Sequence, residues 1–210
     1  MEMQLAEAAA AFQARTGATP EQMADLESFR QELVAANAVM NLVGPDSLPD
    51  FWNRHVYDSA QLLEQEPEAL TWADLGAGAG FPGLVLAILL KGRPGAHVWL
   101  IDSLGKRCRF LEIVVGDLDL PATVINGRAE SQNLTVDVVT ARALAPLETL
   151  LGYAQPYIKR GAKGLFLKGE KAEVELAAAR QTWRVEATLS ESRSDPRGRL
   201  VEVRSLRRVP

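Results

Sequence analysis

The chain changes rhythm near residue 70. Before that point apolar residues recur at helical spacing. Residues 2–14 and 21–40 are rich in Ala, Leu, Glu and Gln, and Met23, Leu26, Phe29 and Leu33 share one helical face. Thr19-Pro20 supplies an N-cap and a proline at the first helical position. The turn-rich "VGPDSLPDF" breaks the pattern. Residues 50–64 then read as a third helix, with Trp52, His55, Val56, Ser59, Leu62 and Leu63 roughly on one side. Beyond residue 70, "LTWADLG", "AHVWLID", "ATVIN", "VDVVTAR" and "KGLFLK" read as strands. Residues 82–91, 104–116, 146–157 and 170–180 read as the helices among them. Strands alternating with helices imply parallel β-α-β units. "TWRVEATLS" and "RLVEVRSL" are joined by the turn-rich "ESRSDPRG" with no helix, which predicts an antiparallel hairpin on one edge of the sheet.

The 210 residues, 47% of them hydrophobic, suit one core-bearing α/β domain over 67–210 preceded by a helical extension over 1–66. No apolar run reaches the ~18 residues of a membrane helix, and the acidic start carries no basic leader. One cysteine, Cys108, excludes an intramolecular disulfide and argues against a structural zinc site. The expectation is a cytoplasmic protein with no metal. Net charge is −4, but it is polarised. Residues 1–70 carry 3 basic against 12 acidic side chains, 71–158 carry 7 against 8, and 159–210 carry 13 against 7. A basic rear on an acidic protein can bind a polyanion locally, or it can be a set of solvated charges.

The densest signal is "DLGAGAGFPG", residues 74–83, between a strand and an apolar helix. Gly76, Gly78 and Gly80 allow a tight turn and close approach of a ligand to the main chain. Asp102 ends the next strand, where a carboxylate can accept hydrogen bonds from a ribose diol. Both features suit a nicotinamide dinucleotide as well as an adenosine-type cofactor. The G-x-G-x-G spacing, with Phe81 breaking the dinucleotide fingerprint, favours the second, although Gly83 leaves some ambiguity. So does Asp74 just before the first glycine, which would repel a pyrophosphate but tolerate the cationic ammonium and sulfonium of S-adenosylmethionine. No P-loop string occurs. The remaining alternative is a glycine turn with no ligand.

Methyl transfer to a pyrimidine carbon needs a cysteine nucleophile, and Cys108 lies inside a helix, away from the carboxyl edge of the sheet. The Asn/Asp-Pro-Pro-aromatic string that serves exocyclic amines is missing after the fourth strand, where "TARALAP" stands. A ring nitrogen such as guanine N7 needs positioning and exclusion of water more than a base. Arg142, at the end of the fourth strand, faces the crevice where open α/β sheets hold ligands. It could hold a phosphate or guanine O6, or serve as a structural ion-pair partner. His97 reads as a surface residue, and His55 as a core-facing histidine or a substrate contact.

The strings "NLVGP", "RHVYDSAQLL", "DLGAGAGFPGLVLAI", "IDSLGKRCRFLE", "GRAE", "TARALAPL" and "FLKG" occur in this order. Together they closely resemble the bacterial small-subunit ribosomal RNA methyltransferase G family, also called glucose-inhibited division protein B, over about residues 35–205. The resemblance implies a class I S-adenosylmethionine-dependent methyltransferase, with a Rossmann-like seven-stranded sheet whose last strand is antiparallel. It implies formation of 7-methylguanosine in a 16S rRNA loop near the decoding site. Carried over by position, Asp74, Gly76, Gly78, Phe81, Asp102, Ala129, Glu130 and Arg142 are expected at the cofactor, with Arg142 also positioning the reaction. Arg54, His55, Lys106, Arg107, Arg109 and Lys168 are expected to face RNA. The implied partner is 16S rRNA or an assembling 30S subunit, met by a monomer without membrane or metal. The pattern departs from the family's at Val43, where Thr is usual, at Phe81, where Leu is common, and most of all in "SDPRGRLVEVRSLRR". Two other classes compete on the residues alone: a small-molecule methyltransferase, favoured by the acidic net charge, and a non-catalytic dinucleotide-binding module.

Overall fold

The computed structural model describes residues 2–209, and the side chains of residues 2, 45 and 46 are not among those described. Helices α1 (Glu2–Thr16) and α2 (Pro20–Met40) open the chain. Thr19 caps α2 in a capping box: its hydroxyl accepts from the Gln22 N–H, and the Gln22 side chain accepts from the Thr19 N–H. The expected helix over 50–64 is three pieces. A 3-10 segment covers Pro45–Asp50, a wide π-helical stretch Phe51–Tyr57, and a regular helix α3 Asp58–Gln65. The wide stretch buries five of its seven residues, Phe51, Trp52, His55, Val56 and Tyr57, more than an ordinary amphipathic face would carry. Such turns recur at functional sites.

The rest follows the expected alternation. It runs β1 (Thr71–Leu75), α4 (Gly83–Leu90), β2 (His97–Asp102), α5 (Gly105–Asp117) and β3 (Ala122–Asn126). After a short 3-10 turn at Ala129–Ser131 come β4 (Val138–Arg142), α6 (Leu147–Ile158), β5 (Lys163–Lys168), α7 (Ala172–Ala179), β6 (Trp183–Glu191) and β7 (Arg199–Arg208). The seven strands lie in the order β3-β2-β1-β4-β5-β7-β6. The last strand, β7, inserts between β5 and β6 and runs antiparallel to both.

Alternation along β1 builds the two layers. Trp72 packs in a cluster with Phe12, Leu26, Phe29, Leu33, Trp52 and Leu84, so the N-terminal helices share a core with this face of the sheet. Ala73 and Leu75 pack in the opposite cluster with Leu150, Leu151 and Tyr157 of α6. The chain order reverses between β1 and β4, which makes their carboxyl ends the switch point where open α/β sheets bind ligands. Register then places the chemistry. Asp74 pairs with Leu100 on one side and Thr140 on the other, so two residues on, Asp102, Gly76 and Arg142 leave the sheet abreast. Among the described residues, no helix is long and apolar enough to cross a membrane.

Candidate active site

The glycine turn is shaped by what crowds it. Gly76 and Ala77 donate their N–H groups to Ile101 O (2.8 and 3.0 Å), folding the chain back over β2. Gly76 has φ +70°, and a Cβ there would lie 2.4 Å from Leu144 Cδ1. Gly78 donates its N–H to Asp102 Oδ2 (3.0 Å), and Leu104 N–H donates to Asp102 Oδ1 (2.8 Å). Asp102 therefore ties the glycine turn to the start of α5. Gly83 is excluded from bearing a side chain for another reason: its Cβ would meet Leu100 Cδ2 at 2.2 Å and Asp74 Oδ2 at 2.7 Å.

Asp74 is fully buried at the end of β1. Its Oδ2 accepts from Gly83 N–H (2.8 Å), while Oδ1 has no partner among the described residues. Burial pushes its carboxyl up to about 7. The Gly83 N–H and the Arg142 charge act against that rise, and Asp102 adds to it. A buried carboxylate left half-satisfied is costly, so it marks a place where a cation would be welcome.

Arg142 is held from three sides. Nη1 donates to Arg54 O (3.0 Å) and reaches Asp58 Oδ2 at 3.4 Å, and Nη2 donates to His55 Nδ1 (2.8 Å). The guanidinium also lies 4.8 Å from the centroid of the Phe81 ring, which stacks on His55 at 4.6 Å. A guanidinium only donates, so His55 Nδ1 must be the acceptor and the ring proton sits on Nε2. That proton goes to Ser47 Oγ (3.0 Å), whose own goes to Gly44 O (2.7 Å). Burial first, then the charges of Arg142 and Arg54, lower the His55 pKa to about 3. His55 is a neutral strut here and cannot accept a proton near neutral pH. Three of the five Arg142 N–H groups are engaged, and Nε–H and one Nη2–H have no partner among the described residues.

Gly76, Gly78, Phe81, Arg107, Arg142, Arg54, His55 and Lys168 of the expected set border one cleft of about 810 Å³. Asp74 and Asp102 lie buried behind it. The Phe81 ring is committed to the core against Phe29, Phe51 and His55. Lys168, expected to face RNA, donates to Ala145 O (2.9 Å) and pairs with Glu175 (2.7 Å), so it braces the loop after β4. Arg107 comes within 3.6 Å of Asp102, whereas Lys106 and Arg109 project from α5 into solvent. Ala129 and Glu130 sit in the turn after β3, away from this cleft, where Tyr157 OH donates to Ala129 O (2.7 Å). Cys108 is buried, with burial raising its thiol pKa, and Asn126 Nδ2 donates to its Sγ. Residue-type reasoning missed Asp58, Ser192 and Ser194. Asp58 stands inside "RHVYDS", but the hairpin serines carry no local signal. No group of three or more His, Cys, Asp or Glu side chains among the described residues is placed to hold a metal.

The fold and the switch-point cleft define an S-adenosylmethionine-dependent methyltransferase architecture. A solved SAM-dependent methyltransferase from Aquifex aeolicus superposes with a TM-score of 0.57 at 17% identity, over 80% of this chain and 96% of that one. An O-methyltransferase from Bacillus cereus in complex with SAH gives 0.56 at 17% identity, over 84% and 90%. The pattern of the rRNA small subunit methyltransferase G family matches residues 22–195, and the chain belongs to that family. The ribosomal RNA small subunit methyltransferase G of Caulobacter vibrioides is 59% identical over 201 residues, covering 96% of this chain and 93% of the relative. That of a Bradyrhizobium species is 42% identical over 209 residues, covering 98% and 94%.

Proposed function

We propose that this protein transfers the methyl group of S-adenosylmethionine to N7 of a guanine in the decoding-region loop of 16S rRNA, in the cytoplasm and as a monomer. The observation that carries the reading is the Arg142 cluster beside the glycine turn, in a chain of the rRNA small subunit methyltransferase G family.

The residues present fit the cofactor. Two carboxylates at neighbouring strand ends, Asp74 with an unpartnered oxygen and Asp102 under Gly78, bias the pocket toward a cation. A pyrophosphate would meet the same carboxylates as repulsion. Gly76 and Gly78 are the proposed main-chain contacts and Asp102, whose oxygens also accept from Gly78 and Leu104, the proposed ribose contact; Ala129 and Glu130, in the turn after β3 outside this cleft, are the proposed adenine contacts. Bound there, S-adenosylmethionine supplies an electrophilic methyl on a sulfonium. Arg142 offers its free Nε–Nη2 edge to an anionic or carbonyl oxygen at the centre of the cleft. Phe81, His55 and Asp58 fix the plane of that guanidinium.

The choice of N7 rests on protonation. Guanine N7 presents a lone pair and loses no proton on methylation, so the site needs orientation and dryness rather than a base. The cleft's histidine is neutral with both nitrogens engaged, which suits that chemistry. Lys106, Arg107 and Arg109 on α5 and Arg54 at the cleft rim are the proposed phosphate contacts.

The test is transfer of a tritiated methyl group to 16S rRNA and to 30S particles lacking the modification, with the labelled nucleoside identified by mass spectrometry. Labelled 7-methylguanosine in one loop is expected. Tight cofactor binding with no label in rRNA would redirect the fold to another acceptor.

A further inference from the structure

The loop joining β6 and β7 forms the cleft wall across from the glycine turn, through Ser194, Asp195, Pro196, Arg197 and Gly198. Its sequence, "ESRSDPRG", has no packing residue to hold one conformation. Hydrogen bonds hold it instead. Ser194 Oγ donates to Asp58 Oδ1 (2.6 Å), and Ser192 Oγ lies 3.2 Å from the same oxygen. Asn53 Nδ2 donates to Ser194 O (3.0 Å), and Arg193 N–H donates to Gln61 Oε1 (3.0 Å). Arg193 also pairs with Glu64. The other Asp58 oxygen, Oδ2, faces Arg142. Asp58 and Arg142 side chains are only 16% and 17% exposed, so solvent screens the pair weakly.

We propose that Asp58 is a positioning residue for methyl transfer. One carboxylate oxygen orients Arg142 at the cofactor side, and the other fixes the β6–β7 loop at the acceptor side. The two walls of the cleft are thereby held in one frame, across segments 84 and 136 residues apart in sequence. This rests on the reading of the protein as an rRNA methyltransferase. The loop is then the surface against which the target nucleotide is seated, and Asp58 keeps its distance from the methyl donor constant.

Three variants separate the parts. Asp58→Ala removes both links, and amide hydrogen exchange within residues 191–198 is expected to rise about tenfold. Unchanged exchange there would show that Asp58 does not hold the loop, and the proposal falls whether or not rRNA is methylated. Ser192→Ala/Ser194→Ala cuts only the loop side. It is expected to raise KM for unmodified 30S particles about tenfold, with the S-adenosylmethionine Kd within about twofold of wild type. Asp58→Asn can keep an acceptor for Ser194 but turns an NH2 toward Arg142, and is expected to lower kcat about tenfold at saturating rRNA. Wild-type kinetics in either variant would overturn the frame. Absence of rRNA methylation by the unmutated protein would instead refute the functional reading, with the exchange measurement still judging Asp58.

Discussion

Asp74 offers the most direct test of the site's electrostatics. Its carboxyl rises from the ordinary 3.8 to about 7 because the group is fully buried with one oxygen unpartnered. The folded state then keeps the proton to higher pH than the unfolded chain does. Between about pH 4 and pH 7 the native protein binds more protons, so stability falls as pH rises through that window. A shift of about three units at about 1.4 kcal/mol each amounts to about 4 kcal/mol over the whole window. Much of it lies near the isoelectric point of about 5.3, where solubility is poor. Between about pH 6 and 8.5 the remaining loss is about 1 kcal/mol. Asp74→Asn keeps an oxygen to accept from Gly83 N–H and places an amide where the unpartnered oxygen sits, at a cost independent of pH. Urea unfolding followed by tryptophan fluorescence is expected to show wild-type stability falling by that amount relative to the variant. Parallel pH profiles would refute the buried, half-satisfied carboxylate. The same group predicts proton release when the cationic cofactor binds near pH 6.5, measured by calorimetry in two buffers and lost in Asp74→Asn.

Gly83→Ala puts a Cβ 2.2 Å from Leu100 and 2.7 Å from Asp74, and is expected to destabilise the fold; overpacking of this kind costs about 1–3 kcal/mol, so an unchanged urea midpoint would mean that α4 can move away freely. Asp102→Ala frees the Gly78 and Leu104 N–H groups and is expected to weaken S-adenosylmethionine by about 1–3 kcal/mol in a binding titration. Equal affinity would remove Asp102 from the cofactor site. Lys106→Ala/Arg109→Ala, both on the solvent side of α5, is expected to lower the salt slope of rRNA binding by roughly one per charge removed, with cofactor binding intact. An unchanged slope would place RNA elsewhere.

The strands were legible because burial on both faces leaves a mark in composition. The inner runs "VVTA" and "GLFL" carry one polar side chain, Thr140, and they became the buried centres of β4 and β5. The closing hairpin was legible for the opposite reason. After the buried Trp183, β6 alternates half-buried and exposed positions, as an edge strand does. Residues 51–57 were not. Helical periodicity tolerates one extra residue per turn, so the sequence pattern cannot distinguish the π-helical stretch from an ordinary helix. Insertion of β7 between β5 and β6 was equally hidden, since a hairpin pattern does not say which of its strands meets the sheet.

At the site, the placement of the glycine turn and Asp102 could be read because it depends on local chain geometry and strand-end position. Arg142 could be read only as a placement, with its use left open between ligand contact and ion pair. The structure makes these two uses compatible. Arg54 O, His55 Nδ1 and Asp58 Oδ2 take three of its N–H groups, from a segment more than eighty residues away. What is left among the described residues, Nε–H and one Nη2–H, is two donors, suited to one carbonyl or to two oxygens of a single carboxylate or phosphate. It should also avoid guanine N7, since a hydrogen bond there would occupy the lone pair that attacks the methyl. The ion pairing therefore narrows the ligand contact: it turns a general anion-binding side chain into a fixed, two-pronged donor whose direction is set by Phe81 below it and His55 beside it.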